Sequence, residues 1–449
     1  MPVKSSRPPS GGVSPARACA LRVIRRVFEQ GAYADRALAG EAVDLDPRDR
    51  ALATVLTYTA VQRRATLDHV IAVLTDRPVG KLDPPVLAVL RLGLAELLYL
   101  GGTAPHAAVN ESVELAKRGS PHAAGFVNAV LRRATREGGG ILGRLDDSTA
   151  ESAALAHSVP GWLASQWWSE LGADEARALL HVVNQPAESA LRVNSLIARV
   201  PEVVAALPVP SRGASGLAEG LVLDGSFDVQ GSELWRAGAI QPQSRGSMLV
   251  SRILDPQPGQ RVLDLCAAPG GKTTHLAALM RDRGEIIAVE QHPGRAAALE
   301  RTTARLGASC VRVQVGDAGA GRTDPPFDRV LVDPPCSGLG TLQSRPDRRW
   351  RARPDAIGEL AALQARILAA GAGALAPAGV LVYSVCTISR AEGEELVGRF
   401  LAANPGFMAA DLAAREPELL GRAAAGPGVQ LLPHRDGTDG FFIARIERT

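Results

Sequence analysis

Two cysteines sit where parallel strands would end. Cys336 closes the run Val330-Leu331-Val332-Asp333-Pro334-Pro335, and Cys386 directly follows Leu381-Val382-Tyr383-Ser384-Val385. A cysteine taken singly is usually a small buried hydrophobe. Two at strand ends on either side of one crevice read better as reagents, because a thiolate is a strong nucleophile and covalent catalysis splits one difficult step into easier ones. Alkylation at carbon 5 of a cytosine is a reaction that needs such a thiol. That carbon is too weakly nucleophilic to take a methyl group directly, whereas a thiolate adding at carbon 6 converts the ring to an enamine whose carbon 5 can attack. Asp333, three residues before Cys336, can hydrogen-bond the ring nitrogen or the exocyclic amine and draw electron density away as the thiolate adds. A base must afterwards take the proton from carbon 5. Enzymes that methylate exocyclic amines present an aromatic ring after the two prolines, so Cys336 in that place favours carbon over nitrogen. The residues alone leave open which cysteine attacks.

A second chemical feature lies upstream. The strand-like Arg261-Val262-Leu263-Asp264-Leu265 runs into Cys266-Ala267-Ala268-Pro269-Gly270-Gly271-Lys272, with a helix expected from Thr273. Small residues let a ligand approach the backbone, and a helix N-terminus offers free N–H groups. Glu290, twenty residues beyond Gly270, ends the next strand, where a carboxylate can accept both ribose hydroxyls of a nucleoside cofactor. Three readings compete for this loop. A dinucleotide fold wants G-x-G-x-x-G, where the chain has Ala268-Pro269-Gly270. A phosphate-binding loop fits Gly271-Lys272-Thr273 but wants glycine where Cys266 stands. A methyltransferase variant of the doubly wound sheet suits the loop, Glu290 and Asp317 best.

The elements that must position these groups follow from periodicity. After Pro256, apolar runs at Arg261–Leu265, Glu285–Glu290, Val311–Val315, Asp328–Asp333 and Ala378–Ser384 alternate with helical segments, and a last strand is expected at Gly440–Ile446. That alternation predicts an α/β Rossmann-like domain over residues 256–449, with its ligand at the carboxyl ends of the strands. Residues 16–140 read as an all-α domain, with amphipathic stretches such as Arg48–Arg63, Pro85–Tyr99, Ala107–Arg118 and Ala123–Arg136. It is expected to end in a flexible linker at Glu137-Gly138-Gly139-Gly140. Residues 141–255 read as a small α+β connecting module, and the Pro/Gly/Ser-rich residues 1–15 as a disordered tail.

Bulk properties set the limits. The 449 residues carry a formal charge of +3, which permits a nucleic-acid partner without demanding one. The five cysteines (Cys19, Cys266, Cys310, Cys336 and Cys386) are odd in number and widely spaced. That argues against both a disulfide framework and a zinc site, so no metal is expected. Val86–Leu100 is interrupted by Arg91 and Glu96, so no membrane span is expected. The N-terminus lacks the apolar core of a signal peptide, and the chain is expected to act in the cytoplasm as a monomer. The segment Gln343-Ser344-Arg345-Pro346-Asp347-Arg348-Arg349-Trp350-Arg351-Ala352-Arg353 offers arginines for phosphates and Trp350 to stack on an unpaired base.

Taken together, LDLCAAPGGKTTHLA, VLVDPPCSGLGTL, RPDRRW, LVYSVCTISRAEGEE and DGTDGFFIARI resemble the Sun/Fmu family of bacterial ribosomal RNA cytosine methyltransferases. AVNESVELAK and GFVNAVLRR resemble the RNA-binding antitermination protein NusB, a pairing that points to the family's small-subunit (16S) branch, called B. The resemblance implies S-adenosylmethionine as cofactor, held by Cys266 through Lys272, Glu290, Asp317 and Asp333. It implies Cys386 as nucleophile, Cys336 as the group assisting product release, and Lys272 acting on the centre through Asp333. DNA cytosine methyltransferases use the Pro-Cys cysteine instead. The implied partner is 16S ribosomal RNA or an assembling small subunit. Transfer RNA, large-subunit RNA and a non-catalytic RNA-binding factor are the alternatives. Glu290 stands where many relatives have Asp, and Pro242 where the family segment usually has an acid.

Overall fold

The computed structural model describes residues 12–321, 324, 326–415, 420 and 423–449. Most of the expected N-terminal tail (1–11) lies outside the described residues, and Pro15 already opens the first helix. The chain divides into two compact units: residues up to Gln185 together with Leu342–Arg351, and Pro186–Thr341 together with Ala352–Thr449.

The first unit is helical. Its most apolar helix, Pro84–Tyr99, has buried residues around its whole circumference, as expected of a helix enclosed by others. The two charges that interrupt it are each neutralised. Arg91 makes two 2.7 Å bonds to Asp68, and Glu96 pairs with Arg17 through Nε at 2.8 Å and through Nη2. The expected linker at Glu137–Gly140 is absent, because the helix Ala124–Leu142 runs through it. Gly138 packs so closely on the neighbouring helix that a Cβ would come within 2.7 Å of Leu98 Cδ2, and buried Ile141 carries the helix on. The unit continues through helices Ala150–Ala156, Gly161–Leu171 and Ala173–Val182, so strands enter the expected connecting module only beyond residue 185.

The arginine-rich segment behaves differently from its sequence reading. Arg349 is fully buried and donates to the carbonyls of Ser158 (3.1 Å) and Val183 (3.1 Å) and to Asn184 Oδ1 (2.7 Å). Trp350 Nε1 donates to Val61 O at 2.7 Å, with the ring against Arg64. Arg351 stacks over Tyr33 at 4.0 Å. These three side chains are committed to the helical unit; Arg345 and Arg353 are exposed.

The second unit has two sheets. Strands β1 (Ala190–Val193), β2 (Ser211–Ala214), β3 (Leu217–Leu223) and β4 (Ile240–Pro242) form an antiparallel sheet in the order β2-β3-β1-β4. The larger sheet contains β5 (Arg261–Leu265), β6 (Glu285–Glu290), β7 (Val311–Val315), β8 (Phe327–Val332), β9 (Leu375–Val385), β10 (Phe407–Ala409), β11 (Ala424–Ala425), β12 (Gly428–Leu431) and β13 (Phe441–Arg448). Its order is β11-β12-β13-β9-β8-β5-β6-β7, with β10 on β13. Strands β5 to β9 are parallel, and β13 is antiparallel to β9. Side chains alternate between two buried layers with period two. Val262, Leu331, Val380 and Val382 face one layer; Leu263, Leu265, Val330, Val332, Leu381 and Tyr383 face the other. Strand β5 starts the first crossover to β6 and also borders β8, so the order reverses there and opens a crevice at the carboxyl ends.

Gly139 and Gly140 are exposed, and a Cβ at either would meet nothing within 4 Å. Replacing each by Ala should therefore raise stability by about 0.5–1 kcal/mol, as for a helix interior. Denaturant titration of the full chain checks this; two neutral or destabilising substitutions would indicate a flexible connection.

Candidate active site

The loop after β5 is built around Gly270. Its φ of 102° is unfavourable for other residues, and a Cβ there would come within 2.7 Å of Leu299 Cδ1. Ala267 N donates to Val289 O and Gly270 N to Ala267 O, each at 2.9 Å, so the loop is tied to β6 and to itself. No side chain caps the helix Gly271–Leu279 that follows. A Cβ on Gly271 would find open space. An uncapped N-terminus beside open space at the strand ends suits a carboxylate or similar anionic group. Beneath the loop, Asp264 interrupts the apolar run of β5. Burial pushes its carboxyl up to about 7, against the effect of a 2.6 Å bond from the Thr273 hydroxyl, and its Oδ1 has no partner.

Glu290 lies at the end of β6, buried, and accepts from His292 N at 3.0 Å. Arg295 approaches its other oxygen at 3.4 Å and also donates to Ala268 O at 3.0 Å, linking acid and loop. Ala267 and Ala268 are buried against Ala288 and Leu299, whereas Pro269 is exposed. Asp317, beyond β7, is exposed. The Gly319 N–H (2.8 Å) and Arg366 (2.9 Å) hold its carboxyl below the usual range. Burial pushes the Cys266 thiol up to about 12, which marks it as an inert lining group. Glycine-rich backbone, an uncapped helix and a buried acid on the next strand make a donor and acceptor set that fits a nucleoside-bearing cofactor.

The reactive groups converge at the ends of β8 and β9. Register pairs Val332 with Tyr383, so Asp333-Pro334-Pro335-Cys336 and Ser384-Val385-Cys386 leave the sheet side by side. The two sulfur atoms are 3.4 Å apart. Asp333 is held on both oxygens, by Lys272 Nζ at 2.7 Å and by Ser384 Oγ at 2.9 Å. Burial opposes the Lys272 ammonium, but the Asp333 carboxylate outweighs it and the lysine pKa is raised. The thiols have different neighbours. The hydrogen bond with Cys386, burial, and the carboxylates of Glu392 and Asp333 push Cys336 well above the ordinary thiol value. The Lys272 ammonium interacts with Cys386.

Sequence reasoning missed the group that holds the thiol loops together. Glu392, fully buried, accepts from Ser337 N (2.9 Å), Ser337 Oγ (2.5 Å), Gln364 Nε2 (2.9 Å) and Thr387 Oγ1 (3.3 Å). Its carbonyl accepts from the Tyr383 hydroxyl at 2.7 Å. Ser337 follows one cysteine and Thr387 the other, and their hydroxyls are 2.7 Å apart. Gly340 adds a second tie, donating to Cys386 O at 3.1 Å; a Cβ there would come within 2.0 Å of Gly440 O. The acid-rich Arg390-Ala391-Glu392-Gly393-Glu394 was visible in the sequence, but nothing local distinguishes Glu392 from a solvated glutamate. Gln243 is bonded to the buried Arg192 at 2.8 Å, while its neighbour Pro242 is exposed.

Family models match three stretches: 16S rRNA methyltransferase RsmB/F over residues 251–447, the NusB family over 14–136, and the Methyltr_RsmF/B-like ferredoxin-like domain over 159–230. The chain is 38% identical to the ribosomal RNA small subunit methyltransferase B of Thermus thermophilus, covering 96% of this chain and 97% of the relative. It is 34% identical to the probable enzyme of that name from Bacillus subtilis, covering 96% and 98%. Among solved structures, PH0851 superposes with a TM-score of 0.81 at 28% identity, over 97% of this chain and 99% of the other. A methyltransferase homologue from Pyrococcus horikoshii superposes with a TM-score of 0.60 at 28% identity, over 67% and 99%.

Glu392→Gln replaces an acceptor oxygen by an N–H group that faces donors. It should shift the two thiol loops and lower turnover roughly 100-fold, the effect of a misplacement of about 1 Å, with the far-ultraviolet spectrum unchanged. Turnover near that of the unsubstituted chain would show that this carboxylate does not set the thiol spacing.

Proposed function

Because the chain belongs to the 16S rRNA methyltransferase RsmB/F family, we propose that it methylates carbon 5 of one cytosine in small-subunit ribosomal RNA, using S-adenosylmethionine and Cys386 as nucleophile. The observation that carries this reading is the 3.4 Å pairing of two thiols in unlike surroundings at one pair of strand ends. Bound S-adenosylmethionine supplies an electrophilic methyl group. Glu290, at the end of β6, would accept its ribose hydroxyls, and the uncapped helix at Gly271 would receive its carboxylate.

Cys386 adds through sulfur to carbon 6 of the cytosine, and the ring electrons move to carbon 5, which would take the methyl group as the sulfonium–methyl bond breaks and leaves the thioether. Asp333, held by Lys272 and Ser384, orients the base through its ring nitrogen or exocyclic amine. Lys272 places positive charge by Cys386, the environment that a nucleophilic thiolate needs. The hydrogen bond with Cys386 and burial, with the nearby carboxylates adding to them, push the Cys336 thiol above its ordinary value. After methyl transfer a base takes the proton from carbon 5, the ring double bond returns, and the carbon–sulfur bond breaks with its electron pair returning to Cys386 as thiolate; Cys336 assists this release.

The NusB-like domain supports RNA as the partner, as naked 16S rRNA or within an assembling small subunit in the cytoplasm. No described helix is long and apolar enough to cross a membrane. Cys336→Ala should accumulate a covalent protein–RNA complex that survives a denaturing gel, whereas Cys386→Ala should form none. The opposite pattern would exchange the two roles.

A further inference from the structure

Three groups outside the thiol site converge in the helical unit. Asp147 lies in the loop before helix Ala150–Ala156, His157 is the C-cap of that helix, and His181 is in the last turn of helix Ala173–Val182. Both histidines aim Nε2 at one oxygen, Asp147 Oδ2, at 3.3 Å from His157 and 3.1 Å from His181. Their ring centroids are 4.6 Å apart at an interplanar angle of 69°. One ligand atom from each residue lies within 4.8 Å of the other two.

We propose that Asp147, His157 and His181 form a site for one Zn²⁺ ion, with a fourth position open to water. The spacing supports it. Zinc bonds of about 2.0–2.1 Å in a tetrahedron put neighbouring ligand atoms about 3.3 Å apart, which matches the two approaches to Asp147 Oδ2. The ligand set is imidazole and carboxylate, which suits zinc and needs no cysteine. Arg177 stands on the far side of the carboxylate, 3.5 Å from Oδ1, and donates from Nε to Asp147 O at 3.1 Å. It fixes the carboxylate while leaving Oδ2 to the ion. A second set of bonds ties the site to the buried arginine: Asn184 donates to His157 O at 2.5 Å and accepts from Arg349 at 2.7 Å. Zinc would therefore clamp the loop and two helix ends that receive Arg349. The cysteine count, which argued against zinc, has no bearing on a site built of histidine and aspartate.

The test uses the full chain, freed of metal by chelation and titrated with Co²⁺ and then Zn²⁺. One equivalent of Co²⁺ should give visible ligand-field bands without thiolate charge transfer, and Zn²⁺ should displace it. His181→Gln alters a side chain that is 60% exposed, so the fold should persist while zinc affinity falls by at least roughly 10–100-fold, the loss caused even by outer-shell changes. Added Zn²⁺ should raise the melting temperature of the native sequence and leave that of His157→Gln/His181→Gln unchanged. No ligand-field bands, an affinity unchanged by His181→Gln, or thiolate charge transfer abolished by Cys386→Ser would each overturn the proposal. The last outcome would place the metal on the cysteine pair.

Discussion

One buried carboxylate holds the reactive part of this molecule together. Glu392 receives hydrogen bonds from the loop after β8 and the loop after β9, and Gln364 and Tyr383 brace it from behind. A carboxylate buried without such donors would be costly. With them, it fixes two loops that parallel pairing of β8 and β9 only brings near each other. Beside that frame, Asp333 is held separately by Lys272 from the neighbouring helix and by Ser384.

The frame also separates two chemically identical side chains. Cys336 faces the carboxylates of Glu392 and Asp333, while Cys386 has the Lys272 ammonium in range. A lysine–aspartate bond of 2.7 Å therefore serves twice: it orients the acid that would hold the base, and it places positive charge by one thiol. The proposed assignment of Cys386 as the attacking thiol thus rests on the charge near each sulfur as well as on family likeness.

Much of the fold was legible because its signals are local. Strands β5, β6 and β7 fall where their apolar runs predict, and the Cys266–Lys272 loop sits between strand and helix as its glycines and its spacing require. Reading failed where a residue's meaning depends on a distant partner. Gly138 reads as a linker residue until Leu98 is seen against it. Arg349 reads as a phosphate ligand until the carbonyls of Ser158 and Val183, far away in sequence, are found around its guanidinium. Glu392 reads as one acid among several in a polar run. Asp147, His157 and His181 have no motif spacing and meet only through the packing of two helices.

The central claim is that Cys386 carries the base while Cys336 releases it. RNA containing 5-fluorocytidine at the target position retains fluorine at carbon 5 after methyl transfer, so release by proton removal is blocked and the adduct persists on the unsubstituted protein. Digestion and mass spectrometry of that adduct then locate the modified sulfur. The account predicts the nucleotide on the peptide containing Cys386. A nucleotide on the peptide containing Cys336 would contradict it.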